Sequence, residues 1–265
     1  MKRETATRRK VILSLVVGLL AGFFSGLFGV GGGILVVPGL VLLMRMGQRR
    51  AHGTSLAAIV PIAISGVITY ALHDSVDWAV AGLLIAGAVG GAAIGTRALA
   101  GLNQRVLRLA FATFLVATAI RLLLDLSHPS GRGPLDVWLA LGLVAIGVVS
   151  GLLAGLLGVG GGIVIIPALV VLFAVPDAVA KGTSLAVIIP TAVVGTLGNV
   201  RRSNADLSVA AVVGLVGAGS AYFGSHLSLH MSARLSSFLF GLLLVLVAMR
   251  MYLTKDEAGE RVPEA

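Results

Sequence analysis

The stretch GLLAGFFSGLFGVGGGILVVPGL, Gly18 to Leu40, decides the fold because it occurs twice: GVVSGLLAGLLGVGGGIVIIPAL runs from Gly147 to Leu169. The offset is 129 residues without a gap. It continues through HGTSLAAIVP (His52 to Pro61) and KGTSLAVIIP (Lys181 to Pro190), and about 24 of 53 positions are identical between Gly18–Tyr70 and Gly147–Asn199. Beyond this the match weakens but keeps Gly95 with Gly224, Arg105 with Arg234, Phe111 with Phe240 and Arg121 with Arg250. The halves are joined by Ser127-His128-Pro129-Ser130-Gly131-Arg132-Gly133-Pro134, a loop by its Pro, Gly and Ser content. Self-similarity on this scale means a duplicated architecture, and duplicated halves are typical of secondary transporters.

The repeat is apolar throughout. Of 265 residues, 57% are hydrophobic and 12% charged, about half the charge of a soluble domain. A soluble fold of this size has too little interior to hide so much apolar surface. The apolar residues form these blocks: Val11 to Phe28, Ile34 to Met44, Gly53 to Leu72, Trp78 to Ala98 and Val106 to Leu124, then Val137 to Leu157, Ile163 to Ala174, Gly182 to Val200, Leu207 to Leu227 and Leu235 to Leu253. Most have the length that crosses a bilayer as helix. Met1 to Lys10 is basic and resembles the start of a signal peptide, with Arg8-Arg9 faintly like a twin-arginine signal. No convincing small-x-small cleavage site follows, so a retained first helix is expected.

The second segment of each half is short; about 11 helical residues span about 17 Å. It forms either the far side of a broken crossing or a hairpin with the first segment. Loop charges choose between these. With the N-terminus inside, the hairpin puts about 16 of the 20 Lys and Arg residues on the inner side, and the single crossing about 12. The expected fold is therefore an all-α membrane protein of two inverted repeats, each of about five helical segments and each opening with a glycine-interrupted hairpin. It is one membrane domain over residues 1–265, with repeat 1 at about 11–125, repeat 2 at about 136–253 and a cytoplasmic tail at 254–265. Both termini are expected to be cytoplasmic. The net charge of +9 lies in short tracts between apolar blocks rather than along one face, which argues against nucleic acid as a partner; the lipid bilayer is the partner expected.

Gly29-Val30-Gly31-Gly32-Gly33 and Gly158-Val159-Gly160-Gly161-Gly162 carry the expected chemistry. Three successive glycines in a membrane segment oppose helix by about 1 kcal/mol each. They allow an unwound chain followed by a helix start with free N–H groups and a positive dipole end, a combination that holds anions without a charged side chain. The alternative is a tight turn between packed helices. No strand precedes the glycines, so a dinucleotide-binding reading fails. Gly53-Thr54-Ser55 and Gly182-Thr183-Ser184 read as N-caps of the third segments, with hydroxyls that could also bind an ion. Pro38, Pro61, Pro167 and Pro190 are expected kink or gating positions. Lys181 and its counterpart His52 precede the caps. The lysine is either an attractor for anions or, the preferred reading, a snorkelling side chain at the interface. Glycines at four-residue spacing (Gly18, Gly22, Gly26; Gly87, Gly91, Gly95; Gly147, Gly151, Gly155) read as close-packing ridges.

Other chemistries lack their residues. There is no cysteine, so no thiolate metal or iron–sulfur site. His226 and His230 stand at i, i+4, but no third histidine or carboxylate is near in sequence, so no metal site is expected. No charge falls at the middle of a segment, which leaves backbone, hydroxyls and water for ion coupling. No Walker motif, zinc-protease motif or serine–histidine constellation occurs, so no enzyme and no cofactor is expected.

The duplicated G-x3-G-L-x-G-V-G-G-G-x4-P element (Gly22 to Pro38 and Gly151 to Pro167), followed each time by GTS, resembles the sulfite exporter TauE/SafE family of membrane permeases. The resemblance covers nearly the whole chain. It implies an inner-membrane transporter whose substrates are anions such as sulfite, thiosulfate, sulfoacetate or related organic anions. Alternating access is the expected mechanism, with H+ or Na+ as coupling-ion candidates and no residue choosing between them. A passive anion channel and a non-transporting membrane scaffold are the alternatives.

Overall fold

In the structure, a computed structural model, residues 2–98, 104–124, 135–157 and 160–253 are described. Gly158, the linker at 127–134 and the tail at 254–265 lie outside them. The described chain is helical without strands: α1 (Lys2–Phe28), α2 (Gly33–Pro38), α3 (Gln48–Ala71), α4 (Trp78–Ala98), α5 (Gln104–Leu123), α6 (Val137–Leu157), α7 (Gly162–Phe173), α8 (Asp177–Arg201), α9 (Leu207–His230) and α10 (Ala233–Leu253). Five of these carry stretches long and apolar enough to cross a membrane: Arg8–Phe28, Gln48–Ala71, Val137–Ala154, Asp177–Arg201 and Leu207–His230. Large apolar side chains such as Leu19, Leu141, Leu215 and Leu246 point outward, as lipid-facing residues do. The chain is a multi-pass membrane protein.

Helices α3 and α8 form the centre, and their apolar residues are among the most buried in the molecule. They cross each other and are flanked by α9 and α4 respectively, which in turn pack on α1 and α6; α5 and α10 pair beside them. The α1–α9 and α4–α6 contacts rest on the glycine ridges. A Cβ at Gly18 would lie 2.6 Å from Val213 O, and at Gly22 and Gly26 it would run into Gly217 O and Ala221 O. On α4 and α6, Gly87 meets Val144 O, Gly91 meets Val148 O, Gly147 meets Leu84 O and Gly151 meets Ala88 O. Contacts advance together along both chains, so each pair runs parallel with backbones in touch. Small residues permit this approach, which is how helices gain dispersion contact where no hydrophobic force drives them together.

Two expectations about element starts are corrected. The third segment of each half begins about five residues earlier than the apolar pattern indicates, at Gln48 and Asp177. Thr54, Ser55, Thr183 and Ser184 are therefore inside helices and are not N-caps. The chain stays helical before them because Gly47 and Pro176, in extended conformation, supply the entry turns, and Pro176 is preset for one. The prolines differ among themselves. Pro61, Pro167 and Pro190 sit within continuous helices, while Pro38 ends α2 and leads into a π-helical turn, Gly39–Leu43. Beside Pro190, the Thr191 hydroxyl donates to Val187 O and Ile188 O.

Candidate functional site

Gly32 and Gly161 unwind the chain in the same way. Gly32 has φ 74°, ψ −13° and Gly161 φ 77°, ψ −13°, and α2 and α7 start on the next residue with no side chain capping them. A side chain at these positions would be strained by about 1–2 kcal/mol. The two breaks meet in the protein interior. A Cβ on Gly162 would sit 3.1 Å from Val30 Cα. Gly31 and Gly160 both face Ile188: a Cβ on Gly31 would lie 2.9 Å from its Cδ1 and one on Gly160 3.2 Å from its Cγ2, with Ile59 beside it. Ile59 and Ile188 are 129 positions apart and so equivalent in the two halves. Gly29, Gly31, Gly32, Gly33, Gly160, Gly161 and Gly162 are all buried. Near them the hydroxyls of Ser25 and Ser184 are buried without a hydrogen-bond partner among the described residues; Ser184 Oγ lies 2.8 Å from where a Gly162 Cβ would be. Ser150 Oγ donates to Gly161 O at 3.0 Å.

The GTS elements do a different job. Thr54 Oγ1 accepts from Asp206 N–H at 2.9 Å and Thr183 Oγ1 accepts from Asp77 N–H at 2.9 Å. Asp206 and Asp77 then cap α9 and α4 through Val209 N–H and Val80 N–H. Gly53 and Gly182 let the helices touch Asn204 O and Ser75 O. Each half of the chain thus clasps the turn that opens a helix of the other half. The hydroxyls of Thr54 and Thr183 are engaged within the protein.

These clasps mark two ends of the molecule. At the Thr54 end a cavity of about 450 Å³ is lined by Arg49, His52, Leu56, Asn199, Arg202 and Asn204. Arg50 is paired with Asp206 at 3.0 Å; Arg49 and Arg202 form no ion pair among the described residues. The cavity ends at Leu56, one turn from Ile59. At the Thr183 end the equivalent positions are Ala178, Lys181, Leu185, Tyr70, His73 and Ser75. Here Tyr70 and Lys181 are fully buried and occupy the corresponding space. Tyr70 Oη donates to Gly26 O at 2.9 Å.

Lys181 corrects the snorkelling expectation: its side chain is 0% exposed, and Nζ lies 2.7 Å from Asp177 Oδ2. It also donates to Ser228 Oγ at 3.0 Å and to Ser236 Oγ. The reason is the early start of α8, which places Asp177 and Lys181 on one face a turn apart. That i, i+4 pair was readable in the sequence; the serines from α9 and α10 were not. The arginine cavity had no sequence signal, since Arg49 and Arg202 are far apart along the chain. A third histidine, His73, does reach His226 and His230, with ring centroids 6.2 and 6.5 Å away. No metal-holding group forms among the described residues.

Comparison with known proteins agrees with this architecture. The family model described as sulfite exporter TauE/SafE matches residues 1–122 and 143–264. "Probable membrane transporter protein YunE" of Bacillus subtilis is 28% identical over 71% of this chain and 77% of its own length. "Probable membrane transporter protein MJ0441" of Methanocaldococcus jannaschii is 31% identical over 59% of this chain and 60% of its own length. A "probable membrane transporter protein" of Xylella fastidiosa is 40% identical over 33% of this chain and 34% of its own length.

Proposed function

Because this chain belongs to the sulfite exporter TauE/SafE family of membrane transporters, we propose that it is a secondary transporter of a small sulfur-containing or organic anion, working by alternating access between inverted repeats. The observation that carries this is the difference between the two ends. Equivalent residues frame an open, arginine-lined cavity at one end and a space closed by Tyr70 and Lys181 at the other. Two copies of one unit in opposite orientation would differ in just this way when one gate is open. Support for the inversion comes from direction: α1 runs parallel to α9 and α4 to α6, while the equivalent helices α3 and α8 enter the clasps from opposite ends.

The anion would enter past Arg49 and Arg202, which form no ion pair among the described residues and whose guanidiniums match an oxyanion's geometry. It would reach the facing helix starts at Gly33 and Gly162, where the N–H groups and the Ser184 hydroxyl serve as neutral donors. Ser55 lies one position from the clasp and is buried with it. Leu56, Ile59 and Ile188 stand between cavity and breaks and form the barrier that must move. The Arg45–Arg50 side, where positive charge is densest, is assigned to the cytoplasm.

The test is uptake of labelled sulfite or sulfoacetate by proteoliposomes. Saturable flux that is accelerated by the same anion on the far side is expected, and flux that never saturates would indicate a channel. Gly32→Leu and Gly161→Leu are expected to abolish transport; unchanged flux in both would remove the breaks from the mechanism.

A further inference from the structure

Beside the closed end lies a second cavity of about 250 Å³, lined among others by Asp177, Ser228, Arg234 and Ser236. Three of these four are the partners of the Lys181 ammonium. The two members of the ion pair are not equally placed: the lysine side chain is sealed, while the carboxylate is 14% exposed and lines the cavity. Ser236 Oγ donates to Asp177 Oδ2 at 2.7 Å.

Building on the anion-transport reading, we propose that Lys181 is an anion receptor which Asp177 occupies at rest, and that protonation of Asp177 frees it, so that a proton accompanies the anion. The argument is conservation of charge around a buried ammonium. At rest the ammonium and carboxylate sum to zero. An anion that displaces the carboxylate would put two negative charges against one buried ammonium, with only the exposed Arg234 on the same cavity to offset the second, which is unfavourable. If Asp177 takes up a proton as the anion arrives, the sum returns to zero: neutral carboxyl, ammonium, anion. Asp177 is the member that water can reach, so it is the one that receives the proton. A sodium ion is disfavoured in the same place because the fixed ammonium already holds the carboxylate and both serine hydroxyls. When Lys181 lets go of Asp177, Ser228 and Ser236, it also releases α9 and α10 from α8, which couples binding to opening of this end.

Other charged and titratable groups surround the pair. On α3 there is Tyr70, and in the turn after it His73 and Asp74; at the start of α4, Asp77; on α5, Arg121; on α9, His226 and His230; on α10, Arg234. Among the described residues α7 contributes none. Histidine as a side-chain type is the usual source of pH dependence near neutrality, so substitution of these three separates their contribution from that of Asp177.

The experiment measures thermal stabilisation of the purified full chain by methanesulfonate, a small sulfur-containing anion that carries one negative charge at both conditions, at about pH 5.5 and about pH 7.5. The wild type is expected to be stabilised more at the lower pH. Asp177→Asn is expected to be stabilised equally at both. The double variant Asp177→Asn/Lys181→Gln, which leaves no buried charge unpaired, is expected to lose the stabilisation. A variant with His73, His226 and His230 all changed to Gln is expected to keep the wild-type pH dependence. The proposal is overturned if Asp177→Asn keeps that dependence, if the histidine variant loses it, if the double variant is stabilised like the wild type, or if the wild type is not stabilised at either pH. Flux in proteoliposomes is a separate measurement, so transport without this binding behaviour would sink the receptor while leaving the transporter standing.

Discussion

Thr54 and Thr183 are identical residues in equivalent places, each accepting one backbone N–H from the opposite half at 2.9 Å. Changing either to Val keeps the shape and removes the acceptor of a partly buried N–H, at a loss of about 0.5–1.5 kcal/mol. Thr54→Val and Thr183→Val are therefore expected to lower the melting temperature by similar amounts in detergent. A clear drop in only one would mean that the clasps are not equivalent. At this scale the sequence was only half readable. The glycine motifs marked the breaks because three glycines have no helical purpose. The threonines looked like caps because an apolar run follows them, and apolar pattern does not register a helix that starts earlier in polar residues. Lys181 was misread for the same cause: its partner Asp177 lay in what looked like loop, and Ser228 and Ser236 are known to be near only once α9 and α10 are docked.

At the scale of elements, helices α3 and α8 were legible in existence and in most of their length, and so were the short, glycine-led α2 and α7. What was not legible is which helix touches which. The ridges of Gly18, Gly22 and Gly26 announce a close partner without naming it; α9 is the partner because its Gly217 meets Gly18 and Gly22, and its Gly224 lies against the α1 backbone at Phe23. The difference between the ends of α3 and α8 can be tested directly, since the chain has no cysteine and single cysteines carry no background. His52→Cys and Asn199→Cys, which replace residues lining the open cavity, are expected to react with a membrane-impermeant maleimide from the cytoplasmic side, and sulfoacetate is expected to slow the reaction. Tyr70→Cys, at the buried equivalent of Asn199, is expected to stay unreactive from the other side. Equal labelling of Asn199→Cys and Tyr70→Cys from their respective sides would argue that both ends are open together, as in a channel.

At the scale of the molecule, the two copies in the sequence are not two bodies in space. Extensive helix packing joins α1 to α9, α4 to α6, α5 to α10 and α3 to both α8 and α9, every one of them a contact between copies. The helices of a single copy touch each other mainly through the short α2 and α7. Cutting the chain in the linker at 127–134 and producing both fragments in one cell is expected to restore a complex that co-purifies and transports. Either fragment alone is expected to be degraded, and an isolated fragment that folds and is stable would contradict this packing.

That reciprocal grip of each threonine on the other copy's turn has a historical consequence. On the inverted arrangement proposed above, a lone ancestral unit with the same clasp would have had nothing to hold its own helix entry except a second molecule inserted upside down. Before the gene doubled, the unit would have had to populate both orientations in the bilayer, with little bias in its flanking charges. Fusion then freed each copy to specialise, and the ammonium–carboxylate pair now found on one side alone is the kind of asymmetry that a single unit serving both sides could never have kept.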